Sequence, residues 1–274
     1  MRLISAAMLA TGMALATPGY AAPVPATART TIPATVPSTT RAAVSATANT
    51  MARLPARLNV TPFEMRYRVL RDGWHLGNAT FTLKPAEDGT WLFESKASAS
   101  GLASLFVHST FGESSHFTLH DHQLQPLSYT YTDSGSPSHN ESINFNWTTG
   151  QALDTKGDKT AQIALDPGIL DRLTLQLALS RQLAAGLPLR ADWTAINGGE
   201  LKHYHLVRKG KDVLATPAGD FDTVIVVRGT PKSKRTTIFW FAPKYEWLPV
   251  KMQQRQTGKA TITFVLNKLT WIQK

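Results

Sequence analysis

The sequence predicts a mainly β protein, a large curved antiparallel sheet, half-barrel or barrel-like, with one principal α-helix packed on it. Three observations carry that reading. From Phe63 onward, apolar and polar residues alternate in short runs closed by turn residues, and alternate residues of a strand face opposite sides of a sheet. One segment alone, Gly168 to Ala185, changes to a helical period. The chain has 274 residues and no cysteine, so the fold relies on core and sheet, without disulfides.

The strands follow in order. Phe63 to Leu70 and Leu76 to Leu83 flank Arg71-Asp72-Gly73, a hairpin turn signal. Trp91 to Ala97 comes after the turn Glu87-Asp88-Gly89, and Phe111 to Leu119, Leu127 to Thr132 and Ile143 to Trp147 complete the first set. The second set is Leu201 to Val207, Asp222 to Val227, Thr236 to Phe241, Trp247 to Gln253 and Ala260 to Trp271. Between the sets, Asp166 is read as an N-cap, Pro167 as the first helical residue and Gly186 as the stop. Ile169, Leu170, Leu173, Leu177 and Ser180 share a face, while Leu175, Leu179 and Leu183 spread the apolar surface around the helix. Such a helix is covered on more than one side. Half-barrel and closed barrel both protect sheet edges, and the pattern leaves both open.

The first 62 residues are of another kind. Arg2, the apolar run Leu3 to Ala16 and the small residues around Gly19-Tyr20-Ala21 read as a signal peptide over residues 1–21. The run is too short for about 30 Å of hydrocarbon, so a mature chain without a transmembrane segment, exported to the periplasm, is expected; passage beyond the outer membrane is left open. Residues 22–62 carry six prolines among Ala, Thr, Val and Ser, with no acid and no aromatic ring past Tyr20. This composition reads as a disordered linker leading to a single β-rich domain over residues 63–274.

The formal charge of +10 suggests nucleic acid until it is located. Residues 1–62 hold five basic groups and no acid, residues 63–199 hold 10 basic against 14 acidic, and residues 200–274 hold 14 basic against 5 acidic. The basic excess therefore belongs to the leader and arm and to the C-terminal third. No nucleic-acid module accompanies it, and none is expected as a partner. Within the C-terminal third, Arg228, Lys232, Lys234 and Arg235 cluster around a hairpin tip. They are the candidates for contact with an anionic membrane surface, against the plainer reading of a solvated turn.

Several motifs then converge. Leu214-Ala215-Thr216-Pro217-Ala218-Gly219-Asp220-Phe221-Asp222-Thr223, Ile238-Phe239-Trp240-Phe241-Ala242-Pro243 and Leu248-Pro249-Val250-Lys251 stand in the C-terminal half. Asp171-Arg172-Leu173-Thr174 and the opening Tyr67-Arg68-Val69 with Gly77 precede them. Together, over residues 63 to 272, they resemble the bacterial exported family called domain of unknown function 3108. The resemblance implies no reaction and transfers no catalytic residue. A further similarity, to the lipoprotein-carrier fold, implies a curved sheet and helix around an apolar groove.

Candidate sites follow. Phe239, Trp240, Phe241, Phe264 and Trp271 are the groove candidates for an acyl chain or lipoprotein tail, although alternating aromatics are ordinarily core and the concave face is unassigned. His116, His120 and His122, and His203 with His205 on one strand face, lack the further ligands a zinc site needs, so no metal and no cofactor is expected. Gly112-Glu113-Ser114-Ser115-His116 resembles a nucleophile elbow without its second glycine. The expectation is a non-enzymatic protein that binds or presents a lipid or lipoprotein. The alternatives are an assembly factor gripping an envelope protein through a sheet edge, then a hydrolase or metalloenzyme.

Overall fold

A computed structural model describes residues 61–101, 104, 108–120, 123–229 and 233–273. The signal peptide expected over residues 1–21 lies outside these residues, as does the linker expected over 22–62 apart from residues 61 and 62. Eight strands come first: β1 (Phe63–Arg71), β2 (Trp74–Pro85), β3 (Trp91–Ala99), β4 (Thr110–His120), β5 (Gln123–Asp133), β6 (Glu141–Asn146), β7 (Gln151–Lys156) and β8 (Lys159–Ala164). Helix α1 (Arg172–Ala184) follows, then β9 (Asp192–Ile196), β10 (Leu201–Thr216), β11 (Gly219–Arg228), β12 (Arg235–Ala242), β13 (Leu248–Gln256) and β14 (Ile262–Trp271).

All fourteen strands form one antiparallel sheet in the order β8-β7-β6-β5-β4-β3-β2-β1-β14-β13-β12-β11-β10-β9. The sheet is thus two meanders joined where β1 pairs with β14, and α1 carries the chain from one outer edge, β8, to the other, β9. The sheet curves without closing into a barrel. Its two ends still approach each other. The turn between β9 and β10 donates the Gly198 N–H to Glu141 Oε1 of β6 at 2.7 Å and the Gly199 N–H to Asp154 Oδ2 of β7 at 2.7 Å. Both glycines have positive φ, 69° and 83°, a backbone conformation that glycine adopts without a Cβ penalty.

The concave face is apolar near the β1–β14 seam. Phe63, Met65 and Tyr67 of β1, Phe81 and Leu83 of β2, and Leu266 of β14 are buried. Edge-on rings tie them together: Tyr67 to Phe81 at 5.4 Å and Phe63 to Phe93 at 6.0 Å. Helix α1 lies on this face, and every residue from Arg172 to Leu183 is buried, as expected for a helix apolar on several sides.

The helix begins later than the sequence suggests. Asp171, not Asp166, is the N-cap: its carboxylate accepts from the N–H groups of Leu173 (2.8 Å) and Thr174 (2.9 Å), and Thr174 Oγ1 accepts the Asp171 N–H at 3.0 Å. Residue 170 is unavailable to a helix because its backbone bonds to Thr194 and Ile196 around β9. Gly186, with φ 65°, does end the helix. Strands β7, β8 and β9 were also not expected from the sequence. Their inward positions include Asp154, a buried acid that breaks the apolar alternation.

Candidate functional site

The most concentrated chemistry in the described residues is a buried polar cluster at the start of α1. Arg172, whose side chain is 2% exposed, donates from Nε to the Tyr129 hydroxyl at 2.7 Å, and from Nη1 to Glu141 Oε2 at 3.4 Å and Asn197 Oδ1 at 3.3 Å. Its Nη2 also meets the Tyr129 hydroxyl and lies 3.4 Å from Glu113 Oε1. The guanidinium is 4.9 Å from the ring centres of both Tyr129 and Tyr131. Strands β4, β5 and β6 supply the acids and rings, and the β9–β10 connection supplies Asn197. Ser115 donates to Asp171 Oδ2 at 2.5 Å, pinning the helix cap to β4. Lys156 adds a second cation, 3.5 Å from Glu141.

Electrostatics follow from burial. Desolvation raises the pKa of Glu113 against the pull of Arg172, and raises that of Asp171 against its Ser115 and backbone hydrogen bonds. Asp154 is pushed up to about 6, first by desolvation and then by Glu141 beside it. For Arg172, burial lowers the pKa, but Tyr129, Glu113 and Glu141 more than offset it and the net direction is upward. Glu113 Oε2 and Asp154 Oδ1 are buried without a hydrogen-bond partner. The cluster is a polar strut between the helix and the sheet's two ends, with Arg172, Glu113 and Glu141 closed to solvent.

This has a measurable consequence. Carboxyls with raised folded pKa values bind protons more tightly folded than unfolded, so their contribution is complete at low pH and is lost as pH rises through the folded value. For Asp154 the window runs from about 4 to about 6. The melting temperature should therefore rise as pH falls from about 6.5 to about 4. A calorimetric series across that range checks it, and a melting temperature that falls steadily overturns it.

A second feature is a shallow apolar hollow beside α1, lined by Phe63, Tyr67, Phe93, Gln176, Leu248 and Met252 among others. Its volume is about 320 Å³ with the solvent above its mouth included, and it narrows to about 20 Å³ of confined space, room for about one water molecule. Gln176 Nε2 is buried there without a partner.

The residues of the β-rich part match the DUF3108 family, described as a protein of unknown function, over residues 62–265. The chain belongs to the DUF3108 family. No curated protein matches it. Solved structures with which it shares some likeness include a beta-barrel-like DUF1849 domain protein from Brucella abortus, at 8% identity and TM-score 0.49, covering 78% of this chain and 99% of that one. A protein of YmcC-like fold from Bacteroides fragilis has 11% identity and TM-score 0.33, covering 77% and 97%. MucB, in the MucA/MucB complex of Pseudomonas aeruginosa, has 11% identity and TM-score 0.30, covering 77% of this chain and 51% of that one.

In this DUF3108 member the aromatic candidates do not gather around one groove. Phe239 and Phe241 are buried side by side on the core face of β12, 5.6 Å apart. Trp240 faces the other way, its Nε1 donating to Asp212 at 3.2 Å and its ring 4.5 Å from Lys251 Nζ. Phe264 lies edge-on to Tyr67 at 6.3 Å, near the hollow, and Trp271 sits at the strand end, 38% exposed, against Phe63. Of the basic candidates, Lys234 is exposed and Lys232 lies outside the described residues. Arg228 turns inward, its guanidinium 5.0 Å from the Tyr204 ring and Nη2 donating to Thr237 at 2.9 Å. Arg235 donates to Gln256 at 2.9 Å. Burial lowers the pKa of both arginines.

The histidines stay apart as well. His203 and His205 share the outer face of β10, opposite Thr194 (3.2 Å) and Asp192 (3.1 Å), and no group of three metal-ligating side chains occurs among the described residues. Ser115 and His116 point to opposite faces of β4: Ser115 is wholly buried, while His116 is 3.6 Å from Asp88 on the outside. Sequence reasoning missed the cluster itself. Its one signal was Asp171-Arg172, polar residues inside an otherwise apolar run.

Proposed function

We propose that this protein is an exported, non-enzymatic component of the bacterial envelope that acts as a binding scaffold, engaging a polypeptide partner through its outer surface. The observation that carries the reading is the occupied concave face. Helix α1 fills it with twelve buried residues, and the confined space left beside it is about 20 Å³, against about 300–1,000 Å³ for ordinary ligand pockets. The charged groups of the interior are sealed: Glu113, Tyr129 and Ser115 are 8%, 1% and 0% exposed, a poor arrangement for meeting substrate. Export is supported by the signal-peptide pattern of residues 1–21.

A second reading, binding of a lipid or lipoprotein tail, is favoured by the apolar lining of the hollow and the unpartnered Gln176 amide. One experiment separates the two. Photo-crosslinking from exposed positions in cells, with lipid mass spectrometry of gently purified protein, should yield one dominant protein partner and no stoichiometric lipid. A stoichiometric acyl lipid that competes with a fluorescent fatty acid overturns the scaffold reading.

A further inference from the structure

Strand β10 is 16 residues long, but β9 pairs only with its first five, Leu201 to His205. The Leu206 N–H still bonds to Ala191 O, at 2.6 Å. Beyond it, the edge of β10 away from β11 has no strand beside it among the described residues.

The register says which backbone groups this edge offers. Thr216 pairs with Gly219 across the two-residue turn Pro217-Ala218, so the Thr216 backbone faces β11. Asp212, four residues earlier, also faces β11, since its carbonyl accepts from Thr223 Oγ1 at 2.9 Å. The residues between and beside them, Lys211, Val213 and Ala215, therefore turn their N–H and C=O groups outward. They also share one side-chain face. The irregularity between Arg208 and Gly210 reconciles this phase with the outward N–H of Leu206.

Basic side chains stand along the first half of this edge, and Val213 and Ala215 in the second half lie opposite Asp222 and Asp220 of β11. Arg208, Lys209 and Lys211 are exposed and make no ion pair among the described residues. Val213 is 72% exposed. The acid in this stretch, Asp212, is engaged by the Trp240 indole at 3.2 Å. Lysines and a bulge on an edge discourage pairing with a like strand, so a second copy of the chain is disfavoured by lysine facing lysine. The arm at residues 22–62 is disfavoured too, having no acid and six prolines, which lack the N–H a ladder needs. The surface suits what both lack: acidic side chains on an extended backbone.

We infer that the outward edge of β10, from Val207 to Thr216, docks an acidic, extended segment of another protein as an added strand. Backbone hydrogen bonds at Lys211, Val213 and Ala215 hold it, and Arg208, Lys209 and Lys211 select its charge. This rests on the scaffold reading above and names the partner surface within it.

The test uses the mature chain and a fluorescent ten-residue peptide alternating Val or Thr with Glu. Its Gln analogue and phosphatidylglycerol vesicles serve as comparison probes. The acidic peptide should bind at least tenfold tighter than the Gln analogue, weaken with salt, and slow hydrogen exchange at Lys211, Val213 and Ala215. Val213→Pro removes one outward N–H while sparing the β11 ladder, and should weaken binding at least tenfold with the melting temperature retained. If that variant fails to fold, Lys209→Glu with Lys211→Glu decides the matter by reversing the preference toward a Lys peptide. Equal binding of both peptides, protection elsewhere, or vesicle binding without peptide binding overturns the inference. A cellular crosslinking partner unaffected by Val213→Pro would sink the edge assignment while leaving the scaffold reading standing.

Discussion

Replacing Arg172 by Met should lower the unfolding free energy by about 3–5 kcal/mol, the usual cost of stranding a buried charge by removing its partner. The side chain is 2% exposed and serves Tyr129, Glu113, Glu141 and Asn197 at once. Methionine fills much of the volume but leaves Glu113 without its cation and Glu141 with Lys156 alone. Protonation relieves Glu113, whose pKa burial already raises, so the loss should shrink as pH falls toward 5. Denaturant titrations at pH 7.5 and 5.5 measure both effects. Adding Glu113→Gln and Glu141→Gln should restore part of the stability, because the acids then need no cation. A loss under about 1 kcal/mol at neutral pH, or a restored triple mutant no better than the single, would show that the cluster is not a structural strut. A typical domain has only about 5–15 kcal/mol in total, so the single change puts the fold at risk.

Gly77→Ala should cost about 1–3 kcal/mol by overpacking, and more if β2 and β3 separate. Gly77 pairs with Ala99 across β3, and an added Cβ would run into the Ser98 carbonyl oxygen and sit 2.8 Å from Ala99 Cα. Those are backbone atoms with no flexible end to swing away. The cost should appear as a lower melting temperature with faster hydrogen exchange in β2 and β3. A variant within 0.5 kcal/mol of the parent would mean that the strands part there at no cost. Gly77 was one of the residues carrying the family resemblance, and this close approach is a reason for glycine there that neither a turn nor a positive φ supplies.

Legibility in the sequence followed physical range. Alternation located eleven strands because their inward residues are apolar, as with Phe63, Met65 and Tyr67 in β1. The same test passed over β7, whose inward Asp154 looks like a surface residue until Gly199 and Glu141 are placed beside it. Trp240 and Phe241 read alike as strand aromatics, yet they pack on opposite faces of β12, Trp240 against Asp212 and Lys251 and Phe241 beside Phe239, since neighbouring residues oppose each other across the sheet. The same short-range view could not foresee that Arg228 turns inward over Tyr204.

By itself the sequence determined what depends on neighbours along the chain: a β-rich domain, one helix broad in its hydrophobicity, an unlike N-terminal arm and a family membership. Tertiary structure alone decided what depends on residues far apart meeting. Arg172 finds Glu141 31 positions away and Tyr129 43 positions away, and the curl of the sheet brings the β9–β10 turn onto β6 and β7. Burial sets the charge state of such groups, and burial is a property of the folded whole. Helix α1 lies buried on the apolar face of the sheet, a packing of distant segments that alternation along one strand does not encode.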